Sequence, residues 1–220
     1  MGNFDYIKRN LDEILAKIDG RGRLVAVTKS ASDEELLALA AFGVSDIAEN
    51  RPQELKRRYE LLLANGFSPA MHQIGTLQRN KVKYIAPFCA DIESLDSEKL
   101  ADEISKEAQR NNRVIPVLIE INSAMEEQKS GVMPNDVEKL LSYVEKLPGI
   151  APIGLMTMGP VCDNPEYLRP YFKLTKNLFD NLSDRFGECP ILSMGMSDSY
   201  LVALEEGANL VRVGRRLFKK

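Results

Sequence analysis

Apolar positions along the chain alternate between two spacings. Short unbroken runs of aliphatic and β-branched residues are separated by longer stretches in which apolar residues recur every three or four positions. The opening stretch has the second spacing. Phe4, Ile7, Leu11, Ile14, Leu15 and Ile18 share one helical face, and Gly20 follows as a stop. The run "RLVAVTK" reads as a strand. "SDEELLALAAFG" then reads as a helix, with Ser32 as N-cap, Glu35 three residues on and Gly43 at the end. The same unit recurs: strand "DIAEN" with helix 51–66, which carries Pro52 in its first turn; strand "AMHQIG" with a short helix 77–87; strand "CADIES" with helix 96–112. It continues with strand "VIPVLIEIN" and helix 134–149, strand "IAPIGLMTM" and helix 166–187, which Pro170 starts or kinks, then strand "PILSMG" and helix 198–207. "LVRVG" is the last strand.

Strands alternating with helices imply parallel pairing. Eight such units closing on themselves make a (β/α)8 TIM barrel, here with an additional N-terminal helix; an open doubly wound sheet is the alternative. The 220 residues are near the lower limit of barrel length, so the expectation is one domain over residues 1–220 with little left for a second.

Composition narrows the class without deciding it. With 44% hydrophobic and 28% charged residues, the chain is ordinary for a globular protein. A net charge of −3 argues against a general nucleic-acid footprint. No apolar run approaches a membrane span, and the charged start "MGNFDYIKRN" has no signal-peptide core. Cys89, Cys162 and Cys189 fit neither a disulfide framework nor a metal site, so a reduced cytoplasm and no bound metal are expected.

In barrels of this kind chemistry sits at the C-terminal ends of the strands. Lys29 ends the first strand. A lysine desolvated at such a mouth has a lowered pKa and an amine free for Schiff-base formation; the plainer reading is a lysine that snorkels out of the strand top. The loops after strands 7 and 8 are a common phosphate site in barrels. Here they carry Ser193, Gly195 and Ser197 on one side and Gly214 on the other, with a helix expected to start near Ser197 and Asp198. The plainer reading is a Gly-Ser turn that binds nothing. Arg212 lies within "LVRVG". Strand alternation places Val211 and Val213 on the outer face and Leu210, Arg212 and Gly214 on the inner one. A buried guanidinium needs an acceptor, either a ligand atom or a carboxylate such as Glu120 or Glu49. A Schiff-base lysine, a phosphate cradle and an inward arginine together suggest pyridoxal 5′-phosphate (PLP), with its aldehyde at Lys29, its phosphate in the two loops and its ring nitrogen at Arg212.

The motifs "LVAVTK", "AENRPQE", "HQIGTLQRNK", "EINSAMEEQKSG", "GLMTM" and "LSMGMSDSY…VRVG" occur in that order, and with them nearly the whole chain resembles the YggS/PROSC family of PLP homeostasis proteins. The resemblance implies a barrel like the N-terminal domain of alanine racemase, a fold-type-III PLP protein without the C-terminal β domain. It implies Lys29 as the aldimine lysine, Asn50 beside the cofactor and His72 in the wall near the site. Ser193, Gly195 and Ser197 would form one side of the phosphate site and Gly214 the other, with Arg212 facing the pyridine nitrogen. Arg215 and Arg216 depart from the Thr or Glu common after the last glycine, which loses a hydroxyl ligand that Arg215 replaces with charge. The loop after "GLM" does not match. Read by themselves, His72 is a wall residue, Lys129 is as much a solvated loop lysine as a ligand contact, Glu126 and Glu127 are solvated, and Arg57, Arg58, Lys219 and Lys220 are surface charge.

Three functions compete. One is a PLP carrier and regulator that supplies apo-enzymes, expected to be a monomer. The second is a PLP-dependent amino-acid racemase. The third is a PLP-free Schiff-base aldolase. An arginine at the ring nitrogen discourages its protonation and weakens the electron sink. Lys29 supplies one base, but a two-sided racemase needs another. A barrel that uses the whole chain leaves no second domain to close the site. The expectation is therefore a carrier rather than an enzyme.

Overall fold

The structure, a computed structural model, describes residues 4–126 and 128–220. Glu127, expected to be solvated, lies outside the described residues. Helix α1 (Asp5–Ile18) precedes β1 (Arg23–Val27), α2 (Asp33–Ala41), β2 (Asp46–Glu49), α3 (Pro52–Ala64), β3 (Ala70–Gln73) and β4 (Asp91–Leu95). Then follow α4 (Glu98–Arg110), β5 (Ile115–Ile121), α5 (Val137–Val144), β6 (Ile150–Thr157), α6 (Arg169–Leu182), β7 (Ile191–Ser193), α7 (Tyr200–Glu205) and β8 (Leu210–Val213). The eight strands pair in sequence order as a closed parallel barrel, and β8 returns to β1 with Val25 opposite Arg212. This is the expected TIM barrel.

Local chemistry explains most boundaries. Ser32 and Glu35 form the expected capping box, with Ser32 Oγ accepting from the Glu35 N–H. Pro170 sits in the first turn of α6, so it starts that helix and does not kink it. The helix expected after β3 is instead a 3-10 segment, Arg79–Tyr84. In β6 the pairing with β5 slips at Pro152, which has no N–H for the ladder. Two residues on, a Cβ at Gly154 would stand 1.8 Å from the Ile191 carbonyl oxygen, so only glycine fits there.

Helix α1 belongs to no βα unit. Its apolar stripe of Ile7, Leu11, Ile14 and Ile18 is buried. Asn10 Nδ2 donates to the carbonyls of Leu217 (3.1 Å) and Lys219 (2.7 Å), and Tyr6 donates to Glu35 Oε1. The helix thereby ties the C-terminal residues to the start of α2. Among the described residues no helix is long and apolar enough to cross a membrane.

Most of the core lies between strands and helices, and Val211 and Val213 belong to it, as the alternation in "LVRVG" requires. Inside the barrel Val25, Val27, Ala48 and Leu210 form a small separate apolar cluster. Beside this cluster, other inward positions carry charge. Arg23 meets Asp46 at 2.8 Å, Asp46 meets His72 Nε2 at 3.0 Å, and His72 Nδ1 meets Asp91 at 2.8 Å. His72 has no exposed surface. Burial pulls its pKa down, but the charge of Asp91 and the hydrogen bonds to Asp46 and Asp91 outweigh this and raise it to about 10. His72 is therefore an imidazolium at neutral pH, with both N–H groups donating to carboxylates.

That proton is bound more tightly in the folded chain than in the unfolded one, where histidine titrates near 6.5. Its stabilisation is fully present below about pH 6.5 and is lost as pH rises toward 10. Urea unfolding should show stability falling by on the order of 4 kcal/mol across that window. His72→Gln should be less stable at pH 6.5 and nearly flat above it. Parallel pH profiles for the two proteins would refute this origin of the slope.

Candidate functional site

The turn after β1 presents Lys29. In β1 the inward residues Val25 and Val27 have odd numbers, and Lys29 continues that series beyond the strand end. Thr28 N donates to the Ala48 carbonyl at 3.1 Å and Ala31 N to the Thr28 carbonyl at 2.8 Å, so the backbone on both sides of Lys29 is held. The lysine itself is exposed. Of the two readings, the structure shows the lysine that reaches out of the strand top, not the desolvated one.

Asn50 follows β2 at the same end of the barrel, half-buried. Its neighbour across the sheet is Gly75, where a Cβ would stand 2.7 Å from both the Asn50 Cβ and carbonyl oxygen. Gln73 Nε2 donates to the carbonyls of Asn50 (3.3 Å) and Gly75 (3.0 Å), and Ser94 Oγ donates to Gly75 at 2.7 Å. The "HQIG" motif thus supplies the close approach and the donors that lock the end of "AEN".

The loops after β7 and β8 touch: Gly214 N donates to Ser197 Oγ at 3.2 Å. Ser197 is buried, and accepting this bond leaves its own O–H as a donor. Among the described residues the backbone N–H groups of Gly195, Ser197, Asp198, Arg215 and Arg216 find no acceptor. Such unclaimed donors in two adjoining loops suit an anion. The glycines have local duties as well. Gly195 has φ +86° and a Cβ there would meet Ala203 at 2.6 Å; a Cβ on Gly214 would meet the Val27 carbonyl at 2.8 Å. Helix α7 begins at Tyr200, later than expected, and spans 6 residues, so its dipole adds little. Arg215 is exposed and paired with Asp198 at 2.5 Å.

Arg212 points inward as its parity requires. Its Nη1 lies 3.5 Å from Glu93 Oε2 and also bonds Ser193 Oγ; its Nη2 donates to the Thr157 carbonyl at 3.0 Å. Ser193 Oγ in turn donates to Glu93 Oε2 at 2.6 Å. The carboxylate partner is therefore Glu93, not Glu120 or Glu49. Glu120 is near enough to act on Arg212 through its charge but bonds Ser130 at 2.9 Å; Glu49 lies on the outer face, bonded to Thr28. Burial pushes the Glu93 carboxyl up and the Arg212 guanidinium down, each toward neutrality, as desolvation of a pair this long dictates. Glu93 Oε1 and Glu120 Oε2 are buried without a partner. The interior beneath the mouth thus holds polar atoms that the protein leaves unmatched.

The structure brings Ser197 and Gly214 together, and Ser193 with Arg212 one layer deeper, but it sets His72 apart. Both ring nitrogens of His72 face carboxylates on the way to Arg23, at the opposite strand ends. His72, Asp91 and Glu93 place ligand atoms within 4.8 Å of one another, yet an imidazolium has no lone pair for a metal. Lys129 pairs with Glu126 at 2.6 Å, and Glu126 is only partly exposed. Arg58, read from the sequence as surface charge, is buried, ion-paired with Glu49 at 3.0 Å and hydrogen-bonded to Glu54 at 3.0 Å. Cys89, Cys162 and Cys189 are free.

A free amine, a set of unclaimed N–H donors and a guanidinium held from below fit a phosphate-bearing aldehyde. Comparison with known proteins bears on the same question. The family of the alanine racemase N-terminal domain matches residues 3–220. A pyridoxal phosphate homeostasis protein from Aquifex aeolicus is 43% identical, over 99% of this chain and 98% of its own. PipY of Synechococcus elongatus, solved with PLP bound, superposes with a TM-score of 0.86 at 25% identity, covering 96% of this chain and 99% of that one. Alanine racemase of Clostridium difficile shares the fold alone: TM-score 0.82 and 20% identity, over 97% of this chain but 56% of the racemase. The chain belongs to the alanine racemase N-terminal domain family and, within it, to the pyridoxal phosphate homeostasis proteins.

Proposed function

We propose that this protein holds PLP reversibly in the cytoplasm, as a monomer, and hands it to apo PLP-dependent enzymes without turning over a substrate of its own. The observation that carries this reading is the exposed Lys29 amine on a fixed turn at the same barrel end as two loops with unclaimed N–H donors. The names of the relatives support it, as does the PLP-bound structure of PipY. When bound, PLP supplies an aldehyde that condenses with a primary amine, with loss of water, and a phosphate that needs hydrogen-bond donors. Lys29 is the covalent anchor. Ser197, Gly195 and Gly214 take the phosphate, Asn50 lines the ring, and Ser193 holds Arg212 toward the ring nitrogen. His72 acts one layer below, through the charged floor. The free cysteines suit a reducing compartment.

If Lys29 is the anchor, PLP added to the protein should give a visible absorption band that Lys29→Ala abolishes in a folded chain. Borohydride should fix the cofactor mass on the peptide containing Lys29. The loaded protein should restore an apo-enzyme in a mixed incubation, with no racemisation of alanine above the Lys29→Ala control. Mass on Lys129 would sink the assignment, and robust racemisation would replace the carrier by an enzyme.

The phosphate reading rests on Ser197. A charge-assisted hydrogen bond contributes on the order of 1.5–3 kcal/mol, so Ser197→Ala should weaken PLP binding roughly ten- to a hundredfold. Pyridoxal, which has no phosphate, should bind more weakly still. Equal affinity for pyridoxal and PLP would remove the phosphate site from these loops.

Arg212 stays protonated and only donates, so the pyridine nitrogen that faces it should be unprotonated. Nitrogen NMR of labelled cofactor bound to the wild type reads this directly. A protonated ring nitrogen would confine Arg212 to its pair with Glu93.

A further inference from the structure

The turn that carries Lys29 is fastened from behind by a buried ion pair. Glu49, at the end of β2, has no exposed surface, and Arg58, on the buried face of α3, is 4% exposed. Arg58 Nε lies 3.0 Å from Glu49 Oε1 as an ion pair and donates its hydrogen bond to the partly exposed Glu54 Oε1 at 3.0 Å. Glu49 Oε1 accepts from Thr28 Oγ1 at 2.7 Å, and Arg58 Nη2 donates to the Ala31 carbonyl at 2.8 Å. One ion pair therefore bonds the residue before Lys29 and the residue that closes its turn. Further along, Arg57 binds Asp33, in the first turn of α2, at 2.6 and 2.8 Å. Lys29 and Ser30 are left exposed between these anchor points.

The pair is a poor device for stability. Glu49 Oε2 and Arg58 Nη1 are buried without partners, and burial pushes the Glu49 carboxyl up. A buried ion pair with unmatched atoms contributes little over apolar residues of the same volume. What it does provide is direction: a planar guanidinium spans a carboxylate and a carbonyl at once, which an apolar side chain cannot do. Because Glu49 directly precedes Asn50, the pair also fixes the strand end that bears Asn50.

We infer that Glu49 and Arg58 are positioning residues for Lys29, holding its turn so that the amine meets a ligand seated in the β7 and β8 loops. This rests on Lys29 as the anchor. A reactive amine displaced by a fraction of an ångström reacts more slowly even where binding is intact.

The test uses the full chain, with Arg58→Lys and the apolar pair Glu49→Leu plus Arg58→Met, chosen because it leaves no lone buried charge. Three quantities are read: the rate at which PLP gives the visible band, the Kd of pyridoxine 5′-phosphate, which has no aldehyde, and the Tm. In the apolar pair the rate should fall about tenfold. Its Kd should stay within about twofold of the wild type, and its Tm within about 4 °C. Arg58→Lys keeps the charge beside Glu49 but not the fork, so its rate should lie between. An unchanged rate would overturn the inference. So would a lowered rate that comes with a raised Kd and a lowered Tm, since that is the mark of a merely structural role. If borohydride marks a lysine other than Lys29 in the wild type, the anchor reading fails first, and visibly so before any substitution is made.

Discussion

The pairing of the first strand with the last is the constraint on which the other features depend. β1 and β8 come from opposite ends of the chain, and their parallel register sets Val25 against Arg212 and Ala26 against Val213. Each side of that seam then continues beyond its strand, one into the turn of Lys29 and the other into Gly214. The seam is tight. A Cβ on Gly214 would stand 2.8 Å from the Val27 carbonyl oxygen, and nothing larger than glycine keeps the two strand ends in contact. Closure thus brings a lysine from residue 29 and donors from residues 195–198 and 215–216 to one end of the molecule.

Closing a barrel of short strands also encloses an interior that must be filled. This chain fills one part with Val25, Val27, Ala48 and Leu210 and places ionisable groups in another. Arg23, Asp46, His72 and Asp91 run from the N-terminal strand ends inward, and Glu93, Ser193 and Arg212 lie alongside. Buried charges contribute little net stability, because desolvation offsets most of their attraction. Their consequence is rigidity of a particular kind. Arg212 is held by Glu93, Ser193 and the Thr157 carbonyl, so its position does not depend on a ligand arriving.

Strand alternation made Arg212 legible in the sequence as an inward residue, and the same arithmetic applies to its partner. In "CADIES", Asp91 and Glu93 flank the outward Ile92 as Leu210 and Arg212 flank the outward Val211, so an inward carboxylate on β4 was readable from parity. Which carboxylate would reach Arg212 was not readable, because distance across a barrel depends on stagger and register. Arg58 had a signal too: Leu55, Arg58 and Leu62 share one helical stripe, and all three are buried. A pair of adjacent arginines reads as surface charge only until the helix face is drawn. The exposure of Lys29 was the plainer of its two sequence readings, whereas the short 3-10 segment after β3 had no such signal. Both depend on how the loops settle around the strand ends.

Holding a cofactor for transfer sets two demands that oppose each other. The bond must form readily, which requires a fixed amine, and it must also break, which requires access for water or a competing amine. With Lys29 as the proposed anchor, backbone and side chain divide these demands at residue 29. The backbone of the turn is tied by Thr28, Ala31 and the buried Glu49–Arg58 pair, while the side chain stands in solvent. A racemase of the same fold matches this chain over only 56% of its own length. An enzyme gains from excluding water and from gripping both faces of its substrate. A carrier gains from neither, since each would slow release. On the proposed function, an exposed amine on a rigid turn suits exchange, and the fastening lies behind the sheet, where it leaves the mouth open.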